Sequence, residues 1–139
     1  MPARSRARKR ALDILYAAEL RREDAVDALA RAVDSGEGPT NPYTGFLVRG
    51  VVGHRERIDE LLTEYSQGWA LNRMPAVDRS ALRIGVFELL WADDVPDAVA
   101  VDEAVSLVRE LSTDDSPGFV NGVLGAMLRE KDHIGGSAP

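Results

Sequence analysis

Arg4, Arg6, Arg8, Lys9 and Arg10 stand within seven positions, with no acidic residue among them. Such a cluster can bind anions, a phosphodiester backbone above all. Successive residues of a helix are turned by about 100°, so these five cations point in all directions rather than forming one solvated face. Arg4/Arg8 and Arg6/Arg10 are like-charged pairs at i,i+4, which disfavour a helix. Positive charge at a helix N-terminus also opposes the macrodipole, by ~0.3–1 kcal/mol each at low salt. The segment is therefore expected to fray alone and to order on a polyanion. Two readings fit it: a nucleic-acid contact, or an irregular solubilising tail.

The charge around this cluster is uneven. Residues 1–22 carry seven basic and two acidic side chains, whereas the remainder carries ten basic and twenty-one acidic ones, against a net charge of −6 for the whole chain. An acidic body with a basic start suggests a localised anion-binding site. Arginine supplies fifteen of the seventeen basic residues, but alanine is also abundant, so the preference for Arg over Lys reads partly as compositional bias.

A second unusual group lies near the C-terminal end. Gly118, Gly122 and Gly125, with Asn121, form a stripe of small residues at i, i+4 and i+7. Each interior glycine costs ~1 kcal/mol against alanine in a helix. Either a neighbouring helix backbone packs closely there, or a ligand or RNA backbone approaches near the helix start, where free N–H groups and the positive dipole end suit phosphate. The paired carboxylates Asp114 and Asp115 could serve acid–base chemistry or a divalent ion, but capping and loop solvation account for them more simply. The same holds for Asp93 and Asp94. His54, beside Arg55 and Arg57, reads as a bend residue. Asp78 falls in the first turn of a helix, where a carboxylate is favoured in any case. Tyr16, Tyr65 and Trp69 could stack on bases, although packing is the commoner use for each alone. There is no Gly-rich phosphate loop, no Gly-x-Ser-x-Gly and no metal-spaced His/Glu set.

Composition narrows the class further. At 139 residues the chain fits one domain able to bury roughly two thirds of its unfolded surface, without disulfide or metal. It has no cysteine, which excludes a disulfide scaffold, a thiolate zinc site and a cysteine nucleophile. No apolar run approaches the ~20 residues of a membrane span. Asp13 and Glu19 interrupt the only apolar stretch near the N-terminus, so no secretory signal is expected and the cytoplasm is the expected location.

The elements that must position these residues are all helical. Apolar spacing predicts helices over about Arg6–Arg22 and Asp24–Asp34, the second with Val26, Leu29, Ala30 and Val33 on one side. Asn41 before Pro42 reads as an N-cap and first-turn proline. The next segment runs to about Ser66, with Phe46, Leu47, Gly50 and Val51, then Ile58, Leu61, Leu62 and Tyr65, and a bend at Gly53–His54. Trp69–Pro75 is a connector. Ala76–Trp91 is apolar almost all round, which places it at the centre of the bundle. A helix with Val101, Ala104, Val105, Val108 and Leu111 on one face follows. The last helix starts with Ser116 as N-cap before Pro117, with Phe119, Val120, Val123, Leu124, Met127 and Leu128 inward. The expectation is one all-α domain over 1–139, a bundle of six to seven helices, with 1–5 and 133–139 irregular.

Four stretches, in order, resemble the NusB family of transcription antitermination factors. They are Ser5–Leu12 with Leu15–Tyr16, Val77–Leu89, Val99–Val105, and Asp114–Leu124, the last the most specific. The resemblance spans about residues 4–130. It implies an all-α fold of two helical halves and an RNA-binding adaptor rather than an enzyme, with no cofactor. It further implies binding to single-stranded boxA RNA of ribosomal leader transcripts together with NusE, a small-subunit ribosomal protein, and attachment to elongating RNA polymerase. Carried over by motif, Arg4, Arg6, Arg8, Lys9 and Arg10 would touch RNA. Asp115, Ser116 and a half-buried Phe119 would lie near it, and Tyr16 and Asp78 would face NusE. Some members form homodimers that hide the RNA surface. Pro117–Gly118 departs from the bulkier polar residues of some relatives.

The residues and the resemblance together picture a rigid helical platform on which the arginine-rich start and the opening turn of the last helix form a single-strand RNA surface. The rival readings are a helical protein–protein adaptor without direct RNA binding and an RNA-modifying enzyme domain. The second lacks a cofactor-binding αβ unit and a catalytic cysteine.

Overall fold

Capping side chains and prolines set most of the helix boundaries in the computed structural model, which describes residues 2–67 and 69–134. α1 (Ala3–Arg21) ends at Arg22, which turns left-handed (φ 55°) so that its N–H reaches the carbonyls of Ala18 and Glu19. α2 (Ala25–Asp34) is capped by the Asp24 carboxylate, which accepts from the N–H groups of Val26 (2.8 Å) and Asp27 (3.1 Å). α3 (Pro42–Gly53) starts as expected: the Asn41 side chain accepts from the Tyr43 N–H at 2.9 Å, and Pro42 takes the first position. His54 closes α3, with Nδ1 3.0 Å from the Gly50 carbonyl oxygen.

Beyond that bend come α4 (Arg55–Tyr65), a 3₁₀ turn (Leu71–Arg73), α5 (Ala76–Trp91), α6 (Asp97–Leu111), α7 (Ser116–Arg129) and the single turn α8 (Lys131–Ile134). No strand occurs among the described residues, so the all-α expectation holds: seven helices of ten residues or more and the single turn α8. Of the stretch 133–139, expected to be irregular, His133 and Ile134 belong instead to α8, and 135–139 lies outside the described residues. No described helix is long and apolar enough to cross a membrane.

The chain divides at His54 into two compact units. In the first, α1 and α2 pack on α3. Ala7, Ala11, Leu12 and Ala18 of α1 are buried with Leu29 of α2 and Leu47, Val48 and Val51 of α3. Three residues of the expected apolar faces are exposed instead: Ala30, Val33 at 58% and Phe46 at 41%. The core that these three helices enclose takes only Ala25 and Leu29 from the ten residues of α2. The apolar stripe read from spacing is therefore wider than the face that is covered.

In the second unit α5 is central and packs against α4, α6 and α7. Asp78 and every residue from Ser80 to Leu90 are buried. Each large aliphatic side chain so placed contributes ~1.5–3 kcal/mol. Gly85 lets the helices approach: a Cβ there would stand 2.7 Å from Leu124 Cδ1 and 3.1 Å from Ala104 Cβ. Arg83, deep in this helix, is held by Asp59 of α4 through two bonds, Nε to Oδ1 at 2.8 Å and Nη2 to Oδ2 at 3.1 Å.

Candidate nucleic-acid interface

The basic start belongs to α1 from Ala3 onward, and this corrects the expected frayed arm. Like-charge repulsion is outweighed by contacts distant in sequence. Ala7 is buried, the Thr44 hydroxyl donates to its carbonyl at 3.0 Å, and Asn41 Nδ2 donates to the Ala3 carbonyl at 3.4 Å. The Tyr43 ring carries two guanidinium groups, Arg4 at 4.2 Å and Arg8 at 5.6 Å from its centroid. A cation over an aromatic face gains ~0.5–2 kcal/mol, more as water is excluded.

The cations sort into rows by helical spacing. Arg8 is 3% exposed, so its charge lies within the unit rather than on its surface. Arg6 and Arg10 border a solvent-open groove of about 750 Å³ with Asn41 and Thr40, and Arg10 Nη2 donates to the Glu37 carbonyl at 3.0 Å. Arg4 and Arg6 are exposed, and Lys9 and Arg10 half-buried.

The opening of α7 differs from its expected form. Asp115, not Ser116, is the capping residue, and its side chain makes no capping bond. Ser116 is inside the helix, 1% exposed, with its hydroxyl turned back on the preceding turn. It donates to Ser112 Oγ at 3.1 Å, accepts from the Thr113 N–H at 3.3 Å and lies 2.8 Å from Thr113 Oγ1. Ser112 Oγ in turn donates to Asp78 Oδ1 at 2.6 Å. Asp78 is 2% exposed, so the carboxylate expected at a partner contact is engaged within its own unit.

Asp78, Thr113 and Ser116 line a hollow of about 300 Å³, bounded by Trp69, Arg73, Met74 and Pro75 on one side and Asp115 and Phe119 on the other. Its first wall is fixed through main-chain atoms, because Arg79 Nη1 donates to the carbonyl oxygens of Leu71 at 2.7 Å and Met74 at 3.0 Å. Phe119 is half-buried, as the resemblance implied, and its ring stands 6.1 Å from that of Trp69 at 56°. A second concavity of about 400 Å³ continues from these two rings along Gly118, Gly122 and Ala126 to Arg129. A Cβ at Gly118 or Gly122 would meet nothing within 4 Å. Close packing of a neighbouring helix therefore does not explain those two glycines; Gly85 is the one that serves such packing.

The structure thus brings Asp78, Asp115, Ser116 and Phe119 around one hollow. Arg4, Arg6, Arg8, Lys9 and Arg10 share the first two and a half turns of α1, and Tyr16, half-buried, lies further along that helix. Sequence reasoning missed Tyr43, since nothing local tells that its ring will sit under Arg4 and Arg8. It also missed Arg73 and Arg129 at the α7 concavities, and it ranked Trp69 with packing residues although that side chain is 56% exposed. Tyr65, on the wall of the second concavity, has its hydroxyl pKa raised above the usual 10, by partial burial first and then by the Glu130 and Glu64 carboxylates.

Cationic rows on one helix and an aromatic, arginine-edged hollow on another define a helical binding protein. Among the described residues no three His, Asp or Glu stand close enough to hold a metal ion. The sequence pattern of the NusB family matches residues 5–129, and the chain belongs to that family. A transcription antitermination protein NusB of a Nocardioides species is 70% identical over 134 residues, covering 96% of this chain and 99% of the relative. Its counterpart in Saccharopolyspora erythraea is 64% identical over 136 residues, covering 96% and 92%. Among solved structures, NusB of T. maritima superposes with a TM-score of 0.83 at 33% identity, covering 94% and 92%. A chain from a crystal structure of the antitermination factors NusB and NusE with double-stranded RNA gives 0.78 at 29%, covering 92% and 98%.

Proposed function

We propose that the chain is an antitermination factor that binds boxA-type single-stranded RNA of ribosomal leader transcripts together with NusE, a small-subunit ribosomal protein, and so modifies elongating RNA polymerase. The observation that carries this reading is the cationic start of α1, already helical and held against Tyr43, on an otherwise acidic chain. Family membership supports it, and so does the relative whose structure contains NusE and RNA.

In this reading Arg4, Arg6, Lys9 and Arg10 meet phosphates. Arg8 shapes the row from beneath. Asp115 and Phe119 meet RNA at the second unit's hollow, and Ser116 and Asp78 hold that hollow's rim. Tyr16 has side-chain surface to offer to NusE. The acidic remainder repels RNA elsewhere and favours a basic protein partner.

About four phosphate contacts to a single strand predict a log–log salt slope near −3. Titration of a labelled boxA-like strand in rising salt measures it. A variant with Arg4, Arg6, Lys9 and Arg10 neutralised should flatten the slope and weaken binding; unchanged affinity would leave a protein–protein adaptor in its place. Adding NusE to both titrations shows whether the partner tightens the complex.

A further inference from the structure

Trp69 is the one large aromatic side chain at the α7 concavities that is more exposed than covered. Its main chain is pinned at both ends of the peptide: the Trp69 N–H donates to the Ser66 carbonyl at 3.3 Å, and the buried Ser66 hydroxyl donates to the Trp69 carbonyl at 2.6 Å. Gln67 between them is left-handed (φ 50°), a conformation that non-glycine residues adopt uncommonly. A tight, side-chain-locked turn thus holds an indole outward at the junction of two hollows. Phe119 meets it at a tilt of 56°, with the ring centroids 6.1 Å apart. A lone exposed apolar side chain is ordinary, but an indole set beside a second ring at the junction of two hollows is a face on which a flat ligand can bury surface.

Two guanidinium groups beside the rings point to that occupant; of the two carboxylates in the first hollow, Asp78 is engaged by Ser112 and Asp115 is exposed. Arg73 lies on the wall of the first hollow and Arg129 at the far end of the second, both exposed, in a chain whose residues beyond position 22 carry twice as many acids as bases. An aromatic platform with a guanidinium on either side matches a flat base flanked by phosphates. The open space over Gly118 and Gly122 gives the sugar–phosphate chain room to pass.

We propose that Trp69 is a base-stacking residue. One unpaired RNA base lies on the indole beside Phe119, and the phosphates on its two sides are met by Arg73 and Arg129. This rests on the RNA-binding reading above and adds to it the residue that holds a base.

The test uses the whole protein. The chain has two tryptophans, and Trp91→Phe leaves Trp69 as the sole indole fluorophore. A boxA-like single strand should quench its emission with the same midpoint that anisotropy of the labelled RNA reports. The same strand annealed to its complement should quench less. Trp69→Ala should weaken single-strand binding by about fivefold to a hundredfold, while Trp69→Phe restores most of it. Circular dichroism and thermal melting confirm that the variants fold.

Emission unchanged at saturating RNA, or Trp69→Ala binding as tightly as the parent while the neutralised-α1 variant does not, would overturn the stacking role and leave RNA binding intact. No binding by the parent itself would overturn both. If Trp69→Ala keeps RNA but loses retention of NusE, the indole serves a protein contact and the proposal fails.

Discussion

The Ser112 hydroxyl donates to the buried carboxylate of Asp78 at 2.6 Å, which ties the first turn of α5 to the turn that launches α7. A hydrogen bond to a charged group is worth about 1.5–3 kcal/mol. Asp78→Ala should lower stability by that amount in urea unfolding, whereas Asp78→Asn, whose amide oxygen can still accept, should lose about 1 kcal/mol. If Asp78→Ala instead left the unfolding midpoint unchanged and abolished retention of NusE, the carboxylate would be a partner-facing group rather than a brace.

Tyr43 supports the start of α1 under Arg4 and Arg8. Tyr43→Leu should keep much of the buried volume and remove the aromatic face, costing about 0.5–2 kcal/mol. Amide hydrogen exchange over residues 3–10 without RNA reads the result directly. The parent should be protected there and the variant much less so.

The open space over Gly122 predicts opposite effects on stability and binding. Gly122→Ala should stabilise the protein by about 0.4–1 kcal/mol, because the alanine fits the helix and restricts the unfolded chain. The added methyl would stand in the path proposed for RNA, so affinity should fall several-fold while the melting temperature rises. A rise in both would move the RNA path off α7.

Gly85→Ala should behave in the reverse manner. Its Cβ would press on Leu124 and Ala104, both fully enclosed, and overpacking of this kind costs about 1–3 kcal/mol. Better helix propensity returns at most ~1 kcal/mol of that. Thermal denaturation should show a net loss.

Tyr65 should ionise later than a free tyrosine. Its raised pKa means that the folded chain holds the phenolic proton more tightly than the unfolded chain. This contribution to stability is complete below about pH 10 and is lost as pH climbs through the raised value. The 295 nm absorbance of the parent minus that of Tyr65→Phe follows the transition, and Glu130→Gln should shift it to lower pH.

The legible parts of this structure were those governed by local chemistry. Asn41–Pro42 marked the start of α3, the Gly53–His54 bend fell where α3 ends, and the all-round apolar pattern of Ala76–Trp91 marked the central helix with its own boundaries. The errors arose where distant residues decide. Charge repulsion argued against a helix at Arg4–Arg10, but Tyr43, Thr44 and Asn41 supply the missing stabilisation from more than thirty positions away. Val33 and Phe46 satisfy the helical spacing, yet their neighbours leave them in water. Ser116 before Pro117 is a different case: it carries a capping signature, but its hydroxyl is taken by Ser112 and Thr113, four and three residues earlier in the same turn, a local competition that the signature does not resolve. The glycine stripe was visible, whereas its vacancy was a property of the neighbouring helices.

Arg79 grips the carbonyls of Leu71 and Met74 and not their side chains. The Leu71–Met74 wall of the α7 hollow is therefore anchored through atoms that every amino acid carries, whereas the opposite wall depends on the side chains of Asp78, Ser112 and Ser116. The side chains of Leu71 and Met74 can therefore change while Arg79 keeps its hold on that wall's backbone.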